Sequence, residues 1–116
     1  MTRHDDRVSL RQMLDFAEEA YAAAKGRARE ELDSDRHFFL VETRLLELVG
    51  EAARRLSQEF RDAHPDLPWL DILGMRNWLA HVYDEIETDV VWDTLQSDLP
   101  ELIDRLRAIL SVLPSR

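Results

Sequence analysis

Residues 35–63 read DRHFFLVETRLLELVGEAARRLSQEFRDA, and the spacing of their apolar positions decides the fold class. The stretch holds no proline and one glycine, and its apolar residues recur at helical rather than strand intervals. Val41, Leu45, Leu48, Ala52 and Leu56 follow steps of four and three, the pattern of a stripe facing a core. Phe39, Leu46 and Ala53 recur at intervals of seven beside Gly50 and make a second stripe. The spacing predicts one long helix from near Asp35 to about Ala63, with Asp33 or Ser34 as its N-cap. One stripe serves the core of the domain. The second suggests another helix, with a second subunit as a candidate.

The flanks extend the same pattern. Upstream, Leu10, Leu14, Ala17, Tyr21 and Ala24 define one apolar stripe on a helix from about Asp5 to Ala24. The polar stretch Lys25 to Asp35, with Gly26 near its start, reads as the connection. Downstream, His64-Pro65-Asp66-Leu67-Pro68 is the strongest breaker cluster, and Pro68 suits the first turn of a helix through Trp69, Ile72, Leu73, Met75 and Leu79 to near Tyr83. A segment from about Thr88 to Gln96 carries Val90, Val91, Trp92 and Leu95. Asp98 is then expected to cap a last helix, with Pro100 in its first turn and Leu99, Leu102, Leu106, Ile109, Leu110 and Leu113 on its apolar face. The expectation is an all-α, up-and-down bundle of about four to five helices forming one domain over residues 1–116.

Composition narrows the function. Three glycines and four prolines are too few turn residues for a sandwich or barrel. Cysteine is absent, which removes disulfides, thiolate metal sites and a cysteine nucleophile and fits a reducing, cytoplasmic setting. No apolar run approaches the roughly 20 residues that span a bilayer, and MTRHDDRVSL lacks a signal-peptide core. The net charge of −9 opposes nucleic-acid binding over the whole surface but leaves room for a local cationic cleft.

Chemistry concentrates in Arg76-Asn77-Trp78-Leu79-Ala80-His81-Val82-Tyr83. Arginine offers a fixed fork of donors to a phosphate and stays charged. Histidine exchanges a proton near neutrality, so it suits removal of an RNA 2′-hydroxyl proton or protonation of a leaving oxygen. Tyrosine donates to phosphate or stacks on a base. At about 100° per residue, Arg76 and His81 stand roughly 140° apart, whereas Asn77 and His81 share a face. Either the helix loosens before His81, or the arginine reaches around, or two subunits bring two copies together.

Other residues carry less. Trp69, Trp78 and Trp92 sit among leucines and read as core. His64, in its proline-rich turn, reads as structural, and His4 and His37 have no evident partners. His81 with Asp84 or Glu85 is too thin a set for a metal site, so no metal or other cofactor is expected. Asp84, Glu85, Glu87 and Asp89 read as a solvated loop or helix start that also favours an imidazolium at His81.

Arg76 and His81, four residues between them and Tyr83 following, resemble the R-x4–6-H motif of the HEPN ribonuclease superfamily in its tyrosine-extended form. Gly50-Glu51-Ala52-Ala53, His64-Pro65-Asp66-Leu67-Pro68-Trp69, Gly74-Met75-Arg76-Asn77, Val91-Trp92 and Asp98-Leu99-Pro100-Glu101-Leu102 together resemble its HepT-like toxin branch, over roughly residues 8–113. The resemblance implies an all-α homodimer that cleaves RNA without a metal ion where its subunits meet, encoded beside a nucleotidyltransferase antitoxin. By position, Arg76 and His81 would be the catalytic pair, Asn77 a supporting polar residue, and Tyr83 the acceptor of AMP from the antitoxin. The alternative is a non-catalytic helical subunit that binds a nucleotide or another protein.

Overall fold

The computed structural model describes residues 5–80 and 88–113, apart from the side chains of Arg76, Trp78 and Ala80. All regular structure among them is helical: α1 Asp6–Ala24, α2 Glu31–Ser34, α3 Arg36–Arg54, α4 Gln58–Ala63, α5 Trp69–Ala80, α6 Thr88–Asp93 and α7 Leu99–Val112. The all-α bundle expected from periodicity is therefore what the chain forms.

Helix α3 is central, packed by α1 on one side and α5 on another. This corrects the reading of its second stripe. Leu46 and Ala53 are both 0% exposed within one chain, and Phe39 is partly buried against the same core. Leu46 shares a cleft with Leu67, Ile72 and Met75, so it faces α5. The two stripes serve two neighbours in one subunit, which a single-helix pattern does not distinguish from a subunit contact.

The long helix also divides. Leu56 is buried, and Ser57 starts α4 by accepting the Phe60 N–H on its hydroxyl oxygen at 3.0 Å. The Ser57 N–H and hydroxyl both donate to the Asp6 carboxylate, at 2.8 and 2.6 Å. A local cap anchored to α1 thus prevails over continued helix. At the other end α3 is capped by Asp35, whose carboxylate accepts the Phe38 N–H at 3.1 Å. Asp33 and Ser34, the expected caps, belong instead to the single turn α2.

Two further expectations shift. Tyr21 is 38% exposed, while Met13 and Ala20 are buried, because the buried arc of α1 is centred between Met13 and Ala17 and Tyr21 lies on its rim. Asp98 does not cap α7. Its backbone is helical (φ −79°, ψ −41°), its side chain caps nothing, and residues 94–98 form a widened π-helical turn running from α6 into α7. Pro100 cannot donate to the carbonyl four residues back, and the wide turn adjusts the register just before it.

The connection 25–35 is held by two arginines. Gly26 takes φ +77°, a left-handed conformation that suits glycine. Arg27 pairs with Glu31 and, at 2.7 Å, with Asp35, and its guanidinium lies 4.0 Å over the Phe38 ring. Arg29 pairs with Asp33 at 2.9 Å, with Asp89, and with the Thr88 hydroxyl at 2.8 Å. The start of α6 is thereby tied to the end of the bundle where α3 begins.

Glu42 of α3 is fully buried, and neither carboxylate oxygen has a hydrogen-bond partner among the described residues. Burial pushes its carboxyl up to about 8, with the charge of Arg27 working in the opposite direction. A raised native value means that the folded state keeps a proton the unfolded state releases, so stability falls as pH rises from about 4.5 to about 8. Replacing Glu42 by leucine is expected to stabilise the protein by about 1–3 kcal/mol at pH 8. The gain should shrink towards pH 4.5. Urea denaturation of both proteins across that range checks the slope. Separately, Ser57→Ala removes the α4 cap and is expected to cost about 1–2 kcal/mol in thermal unfolding.

Candidate functional site

The helix that carries Arg76 and Asn77 is positioned from its start by the breaker cluster. The Leu67 N–H donates to the His64 carbonyl at 3.3 Å, and the Trp69 N–H to the Leu67 carbonyl at 2.9 Å. Pro68 fits the helix start, its carbonyl accepting the Ile72 N–H at 3.0 Å. The Trp69 indole N–H donates to the His64 carbonyl at 2.8 Å, and the His64 ring packs against Phe60 with centroids 4.5 Å apart. His64 is thus part of the turn's scaffold, as its setting suggested. Arg105 of α7 donates to the Asp66 carbonyl at 2.8 Å and its carboxylate at 3.1 Å, fixing the turn against the last helix.

Helix α5 buries Ile72 and Leu79 and rests Leu73 and Met75 against the core. Asn77 is exposed, on the side roughly opposite Ile72 and Leu79. Arg76 lies on the same helix one residue earlier. His81 and Tyr83, with Asp84, Glu85 and Glu87, lie outside the described residues. The structure therefore presents Asn77 to solvent and carries Arg76 on a core-anchored helix. It leaves the approach of Arg76 to His81 as the sequence had it. Asp89, read as loop or helix start, is in the first turn of α6 and bonded to Arg29. Trp69 and Trp92 pack on the core as expected. His37 is exposed.

Among the described residues, no group of three or more His, Asp or Glu side chains could hold a metal ion, and no helix is long and apolar enough to cross a membrane. Sequence reasoning missed three polar features: the buried Glu42, the Arg27 and Arg29 clasp, and a groove rimmed by carboxylates beside the first turns of α5. Glu42 was legible in principle, as a charged residue one helical turn after Phe38 and four before Leu46. The other two join segments far apart in the chain.

A small all-α bundle bearing an R-x4-H pair on a core-anchored helix defines a class, that of the HEPN ribonucleases. A family model described as Ribonuclease HepT-like matches residues 10–109, and the chain belongs to that family. The chain is 34% identical over 104 residues to a protein of Caldanaerobacter subterraneus subsp. tengcongensis whose name proposes an RNase, covering 90% of this chain and 93% of that one. A protein of Thermococcus cleftensis named a probable ribonuclease HepT is 37% identical over 59 residues, 51% of this chain and 54% of its own. A Methanocaldococcus jannaschii protein whose name also proposes an RNase is 25% identical over the full length of both. No solved structure matches.

Gly74, on α5 between Leu70 and Asn77, has open space around it: a Cβ added there meets nothing within 4 Å. Gly74→Ala is therefore expected to stabilise the isolated subunit by about 0.5–1 kcal/mol through helix propensity. Chemical denaturation under dilute conditions checks this.

Proposed function

We propose that this protein is a metal-independent endoribonuclease, the toxin of a type VII-like toxin–antitoxin pair, acting in the cytoplasm as a homodimer. One observation carries the reading: Arg76, Asn77, His81 and Tyr83 stand intact at the motif positions of a chain that matches the HepT-like ribonuclease family over residues 10–109. The single continuous apolar core supports treating residues 1–116 as one domain.

The chemistry follows from the residue types. His81 accepts the proton of the RNA 2′-hydroxyl, whose oxygen attacks the adjacent phosphorus. The bond to the 5′-oxygen breaks, and that oxygen leaves with a proton from a general acid. The products are a 2′,3′-cyclic phosphate and a free 5′-hydroxyl. Arg76 stabilises the charge that gathers on the non-bridging oxygens, and Asn77 supports it as a neighbouring donor. The roughly 140° between Arg76 and His81 on one straight helix favours a cleft where two copies of the motif meet. Because Leu46 and Ala53 are spent inside the subunit, the dimer surface falls to the outward side of α5 around Asn77 rather than to α3.

Tyr83 is the site at which a partner nucleotidyltransferase attaches AMP. The added phosphate and base would occupy the anion site that Arg76 prepares, blocking RNA by bulk and by charge. The net charge of −9 favours the second reading, a non-catalytic subunit that binds a nucleotide or protein.

Cleavage of single-stranded RNA in excess EDTA separates the two. His81→Ala is expected to lower the rate by about 10²–10⁴-fold and Arg76→Ala by a similar factor, with DNA of the same sequence left intact. Wild-type activity in either variant, or equal cutting of DNA, would overturn the mechanism. Incubation with the nucleotidyltransferase and ATP should add AMP to wild type but not to Tyr83→Phe, read by intact-protein mass.

A further inference from the structure

A groove of about 600 Å³ runs between α5, the turn before it, and the α6–α7 arm. Its floor is apolar, formed by Leu46, Leu67, Ile72 and Leu102. Leu70, at its edge on α5, is 89% exposed, a large apolar side chain that the subunit's own packing leaves in water. Val90 of α6 adds a second exposed apolar contact. Gly74 lines the groove with no side chain and open space beyond it. The rim is acidic: Asp66 and Asp71 on one side, Asp98 and Glu101 on the other. Arg105 is the cation among the lining residues, and its guanidinium is already engaged by Asp66 and by Glu101 at 2.9 Å. The carboxyl of Asp98 is raised by desolvation and by the neighbouring Asp71, Asp93 and Glu101, so these negative charges are close enough to oppose one another.

We infer that this groove is the docking site for a cationic amphipathic helix of a partner protein, whose apolar side chains would cover Leu70 and the floor while its lysines or arginines meet the carboxylate rim. The charge pattern selects this occupant. RNA is repelled by the rim. A second copy docked two-fold would set the same four carboxylates against themselves, at like-charge cost and without a free cation to answer them. A helix with anchors at i, i+4 and i+7 fits an elongated apolar floor flanked on both sides by one sign of charge. Leu70 lies seven residues, about 10 Å of helix rise, from Asn77, so the groove is separate from the face assigned to catalysis.

The test uses a fluorescein-labelled synthetic helix with leucines at i, i+4, i+7 and i+11 and lysines along both flanks, titrated with the full-length protein. Saturable binding at micromolar protein is expected, weakened about tenfold between 0.05 and 0.5 M salt, with no binding of a peptide carrying glutamates for lysines. Leu70→Glu and Asp71→Lys should each weaken binding at least tenfold; both positions are exposed, and circular dichroism confirms that the variants fold. The proposal is overturned if the cationic peptide does not saturate or if it binds Leu70→Glu as tightly as wild type, which would mean diffuse charge attraction. It is equally overturned if light scattering shows a wild-type dimer that Leu70→Glu converts to monomer, because a second copy then covers the groove. RNA cleavage by Leu70→Glu at the wild-type rate is the expected control, so failure of the docking reading stays distinct from failure of the catalytic one.

Discussion

Helix α3 has apolar neighbours on two sides, and the remaining helices take their places from that. Burying Leu46 against α5 and Val49, Ala52 and Ala53 within the same core commits most of its circumference to one subunit. α1 runs antiparallel to it, with Asp6 bonded to Ser57 at one end and the connection 25–35 joining the two helices at the other. α5 occupies a second side, and α7 closes over α1, where Arg107 grips Glu18 at 2.6 Å. The motif-bearing helix is therefore held by the core rather than by a loop. A catalytic arginine benefits from such rigidity, because charge stabilisation depends on donors being in place before the reaction.

The central helix also contains its own cost. Glu42 places a carboxyl where nothing described accepts or donates to it, and burial answers by keeping it protonated. The exposed arginines behave otherwise. Arg27 and Arg29 hold pairs that water screens, so their contribution lies in orientation rather than in stability. Arg29 is the more consequential of the two for the site, since it ties the start of α6 to the α1–α3 connection on the far side of the segment that carries His81 and Tyr83.

An enzyme of net charge −9 that acts on RNA needs its charges sorted in space. The groove beside the first turns of α5 collects carboxylates, while Arg76 stands further along the same helix. One end of α5 thus repels the polyanion that the other is proposed to hold. Such separation gives a single helix two surfaces with opposite preferences. It also explains how whole-chain charge can mislead about a local site.

Much of this was legible in the residues. The 3.6-residue periodicity, the breaker cluster at 64–68 and the absence of turn-rich segments determined an all-α bundle, because burial of apolar stripes leaves few other solutions. The motif Arg76 to Tyr83 was visible as a cluster of phosphate chemistry, since its residue types and spacing are local properties of the chain. The partner of each stripe was not. Periodicity tells which side of a helix avoids water but not what covers it, so Leu46 and Ala53 suggested a second subunit until α5 was seen against α3. The break at Ser57 depended on Asp6, fifty-one residues away, and the acidic groove on Asp71 and Asp98 arriving from separate helices. Sequence records what each segment prefers alone; tertiary structure decided which preferences met, because caps, ion pairs and grooves here are made between segments distant in the chain.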